Sequence, residues 1–320
     1  MTESTDTEAP VSPFAADVLD GLSGTPKSLP SKYFYDERGS ELFDRITRLD
    51  AYYPTRTERQ ILLDHGDEMV DEIGKDAALI EYGSGSSDKT QILLGALHAR
   101  RTLAAYVPID ISEDYLLATA RRLRETYDGL PILPVAADYT TPFDLPDLPP
   151  ETTRRVVFFP GSTIGNFTPP EAGTFLRHVR DVAGPRGALL IGVDQVKDDD
   201  VLERAYDDPE GVTAAFNLNL LRRINRELGG DFRLGAWRHE ARYDEAARRI
   251  EMHLASRTDQ VAHVCGRAFS FRDGETIHTE NSYKYGPDGL AALASEAGLR
   301  RDRRWTDPRG WFALELYSVI

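Results

Sequence analysis

The stretch Ala77-Ala78-Leu79-Ile80-Glu81-Tyr82-Gly83-Ser84-Gly85-Ser86-Ser87-Asp88-Lys89-Thr90 constrains the fold more than any other part of the chain. An apolar run ends in an acid, meets two spaced glycines and opens into a helical pattern, which reads as a buried strand turning sharply into a helix. Glycine has no Cβ and takes positive φ, so the backbone of such a turn can approach a nucleotide-like ligand closely; a plain strand-to-helix turn is the alternative. Ser86 and Ser87 are candidate N-caps for the helix. The third glycine of the dinucleotide fingerprint is missing. Asp88 stands in its place and would set a carboxylate against a pyrophosphate. A phosphate-rich cofactor is therefore disfavoured, and an adenosine cofactor carrying a sulfonium cation fits better.

With 320 residues the chain can bury a sizeable core and is long for one domain, so one large domain with an insertion is expected. A formal net charge of -15 argues against nucleic acid or an anionic membrane as a partner. A small molecule is left as the expected partner. Cys265 is the only cysteine and cannot form an internal disulfide, and no segment reads as a membrane span or secretory signal, so the cytoplasm is the expected compartment. The seven histidines show no metal-ligand spacing, and no metal is expected.

After a polar leader, residues 1–13, apolar runs alternate with amphipathic segments from Ala77 to Asp194. Strands are expected at 103–111, 132–137, 156–159 and 188–193, with helices at 113–127 and 169–182. Thr168-Pro169-Pro170-Glu171 signals the last of these as a capping box with proline in the first turn. This βαβ rhythm implies an α/β fold, a doubly wound parallel sheet that binds ligands beyond the carboxyl ends of its strands. After Asp194 the pattern changes: one or two helices over 197–228, then alternating segments at 232–243, 249–256, 261–271 and 276–283. A helix at 288–297 and a strand at 312–317 could return to the edge of the first sheet.

The strand ends carry acids. Asp110 ends the second strand, where a carboxylate can accept both ribose hydroxyl protons, and Asp138 ends the third, within reach of an adenine amine. Each alone reads equally as a loop or cap acid, but with Glu81 they make three acids at three successive strand ends. In Gly161-Ser162-Thr163-Ile164-Gly165-Asn166-Phe167, the Asn166 amide offers an acceptor and donors to a substrate amine and carboxylate; otherwise it closes a turn.

Several segments together are similar to the S-adenosylmethionine-dependent histidine-specific methyltransferases: Pro26-Lys27-Ser28-Leu29-Pro30, Tyr33-Phe34-Tyr35-Asp36, Gly39-Ser40-Glu41-Leu42-Phe43-Asp44, Tyr52-Tyr53-Pro54-Thr55-Arg56-Thr57-Glu58, the Gly83–Thr90 loop, Gly161–Asn166 and Ala205-Tyr206-Asp207-Asp208. The resemblance implies a class I methyltransferase domain at 14–195 and 286–320, Rossmann-like and doubly wound. It further implies an inserted smaller α+β substrate domain at 196–285, and the leader is expected to dock on that domain. The implied cofactor is S-adenosylmethionine, with S-adenosylhomocysteine as product, held by Tyr35, Phe43, Gly83, Lys89, Asp110, Asp138 and Tyr139, with Gly161 and Ser162 nearby. The implied substrate is L-histidine, methylated three times on its α-amine as the first step of ergothioneine biosynthesis. Tyr52, Asn166 and Tyr206 are carried over as the residues on the α-amino and α-carboxylate groups, and Met252, Glu280 and Ser282 as those on the imidazole.

Period-two alternation independently puts Met252 on an apolar strand face and Glu280 beside Ser282 on one face of another. An inward carboxylate needs a polar partner, which an imidazole N–H supplies; core packing for Met252 and a solvated edge for Glu280 are the alternatives. Tyr139 and Tyr82 depart from the family's phenylalanine and leucine-like residue, each adding only a hydroxyl. Methyl transfer from a sulfonium needs a neutral amine and close positioning more than acid–base chemistry. Three other functions fit parts of the chain. A tryptophan-type substrate would want an apolar residue at Glu280. A nicotinamide dehydrogenase would want the third glycine where Asp88 stands, and a non-catalytic binding module would differ only in turnover. A monomer is expected.

Overall fold

The computed structural model describes residues 12–85 and 88–320, so the proposed Ser86 and Ser87 caps and most of the leader lie outside the described residues. The chain forms two compact units. One comprises Tyr53–Asp198, Ala246–Arg249 and Ser282–Ile320; the other comprises Met1–Tyr52, Asp199–Glu245 and Ile250–Asn281.

The first unit is built on a seven-stranded sheet: β1 (Ala77–Tyr82), β2 (Leu103–Asp110), β3 (Val135–Ala136), β4 (Arg154–Phe159), β5 (Ala188–Asp194), β6 (Leu299–Thr306) and β7 (Phe312–Val319). The spatial order is β3-β2-β1-β4-β5-β7-β6. Strands β1 to β5 run parallel, while β7 lies antiparallel to β5 and β6 antiparallel to β7. Every residue of β1 and β5 is buried, as central parallel strands covered on both faces require. Leu79 packs with helices Tyr53–Ile73, Asp88–Ala99 and Glu113–Thr126, whereas its neighbour Ile80 packs with Pro169–Ala183 and Gly289–Glu296. The strand order reverses between β1 and β4, which places a ligand crevice outside the carboxyl ends of those two strands.

The second unit holds all but Arg249, Ser282 and Tyr283 of a four-stranded sheet in the order Lys27–Ser28, Thr276–Tyr283, Arg249–Ser256, Trp237–Asp244. It also holds a hairpin of Gln260–Val264 with Arg267–Phe271 and the helices Pro13–Ser23, Glu37–Ile46, Asp199–Tyr206 and Val212–Leu228. Residues 14–52, expected in the methyltransferase domain, group instead with the inserted segment. The cause is packing: the Phe34 and Phe216 ring centroids lie 4.6 Å apart, and Asn219 Nδ2 donates to Asp36 at 2.7 Å.

Local differences have local causes. The expected strand 132–137 shrinks to Val135–Ala136 plus a bridge from Ile132 to Tyr106, because Pro131 and Pro134 cannot donate to a ladder. The segment 261–271 is two strands, broken where Cys265 and Gly266 take φ of 49° and 74°. Strand β6, with the sequence LRRDRRWT, carries no apolar alternation because it is a sheet edge that buries only Leu299 and Trp305. Thr168 and Glu171 form the expected capping box. Among the described residues no helix is long and apolar enough to cross a membrane, and no group of side chains could hold a metal ion.

Candidate active site

The loop after β1 is tied to β2 by its own backbone. Gly83 and Ser84 both donate to the carbonyl of Ile109, at 2.9 and 3.2 Å, and Gly85 N–H donates to Asp110 Oδ2 at 3.1 Å. Gly83 and Gly85 have φ of 70° and 45°, the left-handed region open to glycine at little cost. Asp110 Oδ1 accepts from Ser112 N–H at 3.0 Å, so this carboxylate joins two loops and still has lone pairs to offer. Asp138 closes the next loop on itself, its Oδ1 accepting from the Thr140 N–H at 2.9 Å and hydroxyl at 2.5 Å. Tyr139 stacks on Tyr82 at 5.4 Å, and a Cβ on Gly83 would come to 3.5 Å from the Tyr139 ring. Gly83, Asp110, Asp138 and Tyr139 thus line the carboxyl ends of three adjacent strands. Two carboxylates and an aromatic wall beside a side-chain-free backbone suit an adenosine far better than a pyrophosphate.

Glu81 does not join this set. It is 1% exposed, and its two oxygens accept from the hydroxyls of Thr90 and Tyr106. Burial pushes its pKa up to about 8 against the pull of those two hydroxyls. The third strand-end acid is therefore an internal tie between β1, β2 and the following helix. Its folded pKa lies above the unfolded value, so its contribution is full below about pH 4.5 and is lost as pH rises toward 8. Glu81→Gln is expected to flatten the stability profile across that window; identical wild-type and variant slopes in denaturant titrations would refute it.

The loop after β4 is shaped by a buried acid from a distant helix. Glu58, with no exposed surface, accepts from Gly161 N–H through both oxygens, at 2.9 and 3.0 Å, and pairs with the ammonium of Lys89. Ser162 adopts φ 60° and ψ 27°, unusual for a residue with a side chain, and its Oγ accepts from Asp194 N–H at 2.8 Å. Ser162 therefore joins β4 to β5 and holds a strained turn. Gly165 lets this turn meet the neighbouring strand, since a Cβ there would sit 2.8 Å from the Tyr283 carbonyl. Asn166, the last residue of the turn, is half-buried, and its amide makes no hydrogen bond among the described residues.

Beside this turn lies a charge cluster that no motif announced. Asp194, 1% exposed, accepts from the Tyr53 hydroxyl at 2.9 and 2.7 Å and faces Lys197 at 2.6 Å and Lys284 at 2.8 Å. Burial opposes ionisation of Asp194, but the two ammonium groups overcome it and hold the pKa below the usual value. Lys284 also donates to Ser282 Oγ at 2.7 Å. The strand-end argument that singled out Asp110 applies equally to Asp194.

In the second unit an aromatic series runs through the remaining candidates. Tyr35 meets Phe43 at 5.6 Å, Phe43 meets Tyr52 at 6.3 Å, and Tyr52 meets Tyr206 at 6.1 Å, all edge-on. Phe216, which the sequence did not mark, packs against Tyr35 and Phe43 from the helix Val212–Leu228. Tyr52 and Tyr206 are each 8% exposed. Met252 is buried on Arg249–Ser256, and its carbonyl accepts from Thr279 Oγ1 at 3.0 Å; Glu280, half-buried, follows on the adjacent strand.

A parallel sheet that reverses at β1 and β4, carries an antiparallel β7 between β5 and β6, and sets a glycine loop and two acids at its strand ends defines a class I methyltransferase. The chain belongs to the S-adenosylmethionine-dependent histidine-specific methyltransferase family, whose model matches residues 14–319. It is 45% identical over 302 residues to the Histidine N-alpha-methyltransferase of Mycolicibacterium smegmatis, covering 94% of this chain and 93% of that protein. It is also 35% identical over 285 residues to Ergothioneine biosynthesis protein 1 of Neurospora crassa, covering 88% of this chain but 32% of that longer protein. The L-tryptophan methyltransferase of Psilocybe serbica is 31% identical over 340 residues, 93% of this chain and 91% of its own.

Proposed function

We propose that the enzyme methylates the α-amine of L-histidine three times, giving the trimethylated betaine hercynine that enters ergothioneine biosynthesis. The likeness along nearly the whole length to a protein named Histidine N-alpha-methyltransferase carries this reading. S-adenosylmethionine, when bound, supplies the electrophilic methyl group. Asp110 is assigned to its ribose hydroxyls and Asp138 with Tyr139 to its adenine. Tyr35, Phe43, Gly83 and Lys89 complete the assignment, with Gly161 and Ser162 shaping the adjoining loop. Tyr52 and Tyr206 are assigned to the α-carboxylate and Asn166, whose amide makes no hydrogen bond among the described residues, to the α-amine. The aromatic faces of Tyr35 and Phe43 favour an ammonium that becomes quaternary, through cation–π attraction. Orientation supplies roughly 7–11 kcal/mol in well-aligned reactions, so these residues act by positioning and no general base is assigned. Mass spectrometry of histidine incubated with enzyme and S-adenosylmethionine tests the reading: gains of one, two and three methyl groups support it, and methylation of tryptophan but not histidine would overturn it.

Asp110→Ala is expected to weaken S-adenosylmethionine binding by about 1.5–3 kcal/mol, because charge-assisted bonds to the ribose are lost and the Gly85 and Ser112 N–H groups are released. Calorimetry returning the wild-type affinity would remove Asp110 from the site.

Met252, Glu280 and Ser282 are assigned to the imidazole. A relative named as a tryptophan methyltransferase makes the indole the natural competitor. Glu280→Ala is expected to erode the preference for histidine, because an imidazole N–H loses its acceptor while an indole ring loses nothing comparable. Unchanged histidine selectivity in a competition assay would refute that placement.

A further inference from the structure

Tyr206 closes the helix Asp199–Tyr206, where backbone carbonyls run out of helical partners. Its carbonyl is met by His239 Nε2 at 2.7 Å, from the strand Trp237–Asp244. The other ring nitrogen, Nδ1, faces Asn217 Nδ2 at 2.9 Å, and the same amide nitrogen donates to the carbonyl of His253 at 3.0 Å. That second bond fixes the amide, since a flipped Asn217 would set its oxygen against a carbonyl oxygen. Asn217 is therefore the donor and Nδ1 the acceptor, which leaves Nε2 to carry the proton and donate to Tyr206. One neutral tautomer is specified from both sides. Burial supports it by lowering the His239 pKa.

We propose that His239 is a positioning residue for the amino-acid substrate: it holds the Tyr206 carbonyl and so fixes the Tyr206 ring in its edge-on contact with Tyr52. The inference rests on the reading that these two tyrosines hold the α-carboxylate. Three features carry it. His239 donates to this carbonyl from a strand, while the carbonyl belongs to a helix end, so the bond ties two elements together. Its tautomer is set by Asn217, a wholly buried residue of the helix Val212–Leu228, so three elements meet at one ring. The contact runs through the backbone, so losing it displaces the whole Tyr206 residue and not only its hydroxyl.

The test measures kcat and KM for histidine and for histidine amide, together with S-adenosylmethionine affinity, in the full-length enzyme. His239→Phe keeps a ring and removes the donor; His239→Gln keeps an N–H that can reach the carbonyl. His239→Asn, too short to reach it, gives the same information as the phenylalanine variant should that one fail to fold. The donor-less variant is expected to raise KM for histidine by about tenfold while KM for the amide and cofactor affinity stay within about twofold, and glutamine is expected to restore most of the loss. An equal rise for both substrates, an unchanged KM for histidine or a failure of glutamine to rescue overturns the proposal. Tyr206→Phe measured alongside separates the two layers. If it affects histidine and amide alike, the carboxylate reading fails and the inference falls with it; if it affects histidine selectively while His239→Phe does not, only the inference fails.

Discussion

Asp194→Ala is expected to cost about 3–5 kcal/mol of stability, because it strands two buried ammonium groups. The side chains of Lys197 and Lys284 are 4% and 0% exposed, and both lie within 2.8 Å of the single carboxylate. Burial, reinforced by the charge of Lys284, already pushes Lys197 down to about 8 despite the pull of Asp194. Without Asp194 it falls further. A lysine that is protonated in the unfolded chain but neutral in the folded one makes stability rise with pH, since the unfolded state then binds more protons. The variant is accordingly expected to regain part of its loss as pH rises above neutrality. Chemical denaturation at several pH values checks this. A wild-type midpoint, or a loss that does not shrink with pH, would show that the lysines do not depend on Asp194.

Glu58→Ala is expected to cost about as much and to act on the cofactor as well. It removes the acceptor of Gly161 N–H in the loop after β4 and the counter-charge of Lys89 in the first turn of the helix that follows β1, the two strands at which the order reverses. Lys89→Met in the same background is expected to recover part of the stability, with a coupling on the order of 1–3 kcal/mol in a double-mutant cycle. Additive effects would mean that the ion pair contributes nothing beyond its separate members. Glu58→Gln, which retains an acceptor for Gly161 but not the charge, is expected to fall between the two.

These two acids show where the sequence was readable and where it was not. Strands β1, β2, β4 and β5 announce themselves because a strand covered on both faces must be apolar throughout, and the glycine loop follows from its own composition. The position of Asp110 and Asp138 just at or beyond strand ends was legible because the apolar runs that precede them end there. Glu58 lies within a segment that marks the family, yet nothing local says that its carboxylate turns inward toward a loop 103 residues away. Lys284 and Asp194 are 90 residues apart and meet only after the sheet has closed. Strand β6 escaped notice for the opposite reason, since an edge strand must be charged and so lacks the alternation that betrays other strands. His239 is one of seven histidines without a motif, and only the two groups facing its nitrogens distinguish it.

The chain passes from one compact unit to the other at Tyr52, Asp198, Glu245, Arg249 and Asn281. Exchange of parts between relatives is therefore governed by thread count and not by a single insertion point. Grafting 196–285 alone from a relative would carry over the helix Val212–Leu228 but leave behind Phe34 and Asp36, which pack and bond to it. A chimera that transfers the substrate preference intact must move Met1–Tyr52, Asp199–Glu245 and Ile250–Asn281 as one set. Natural recombination at one or two breakpoints would break that set, so new specificities in this architecture are expected to arise by point substitution within it.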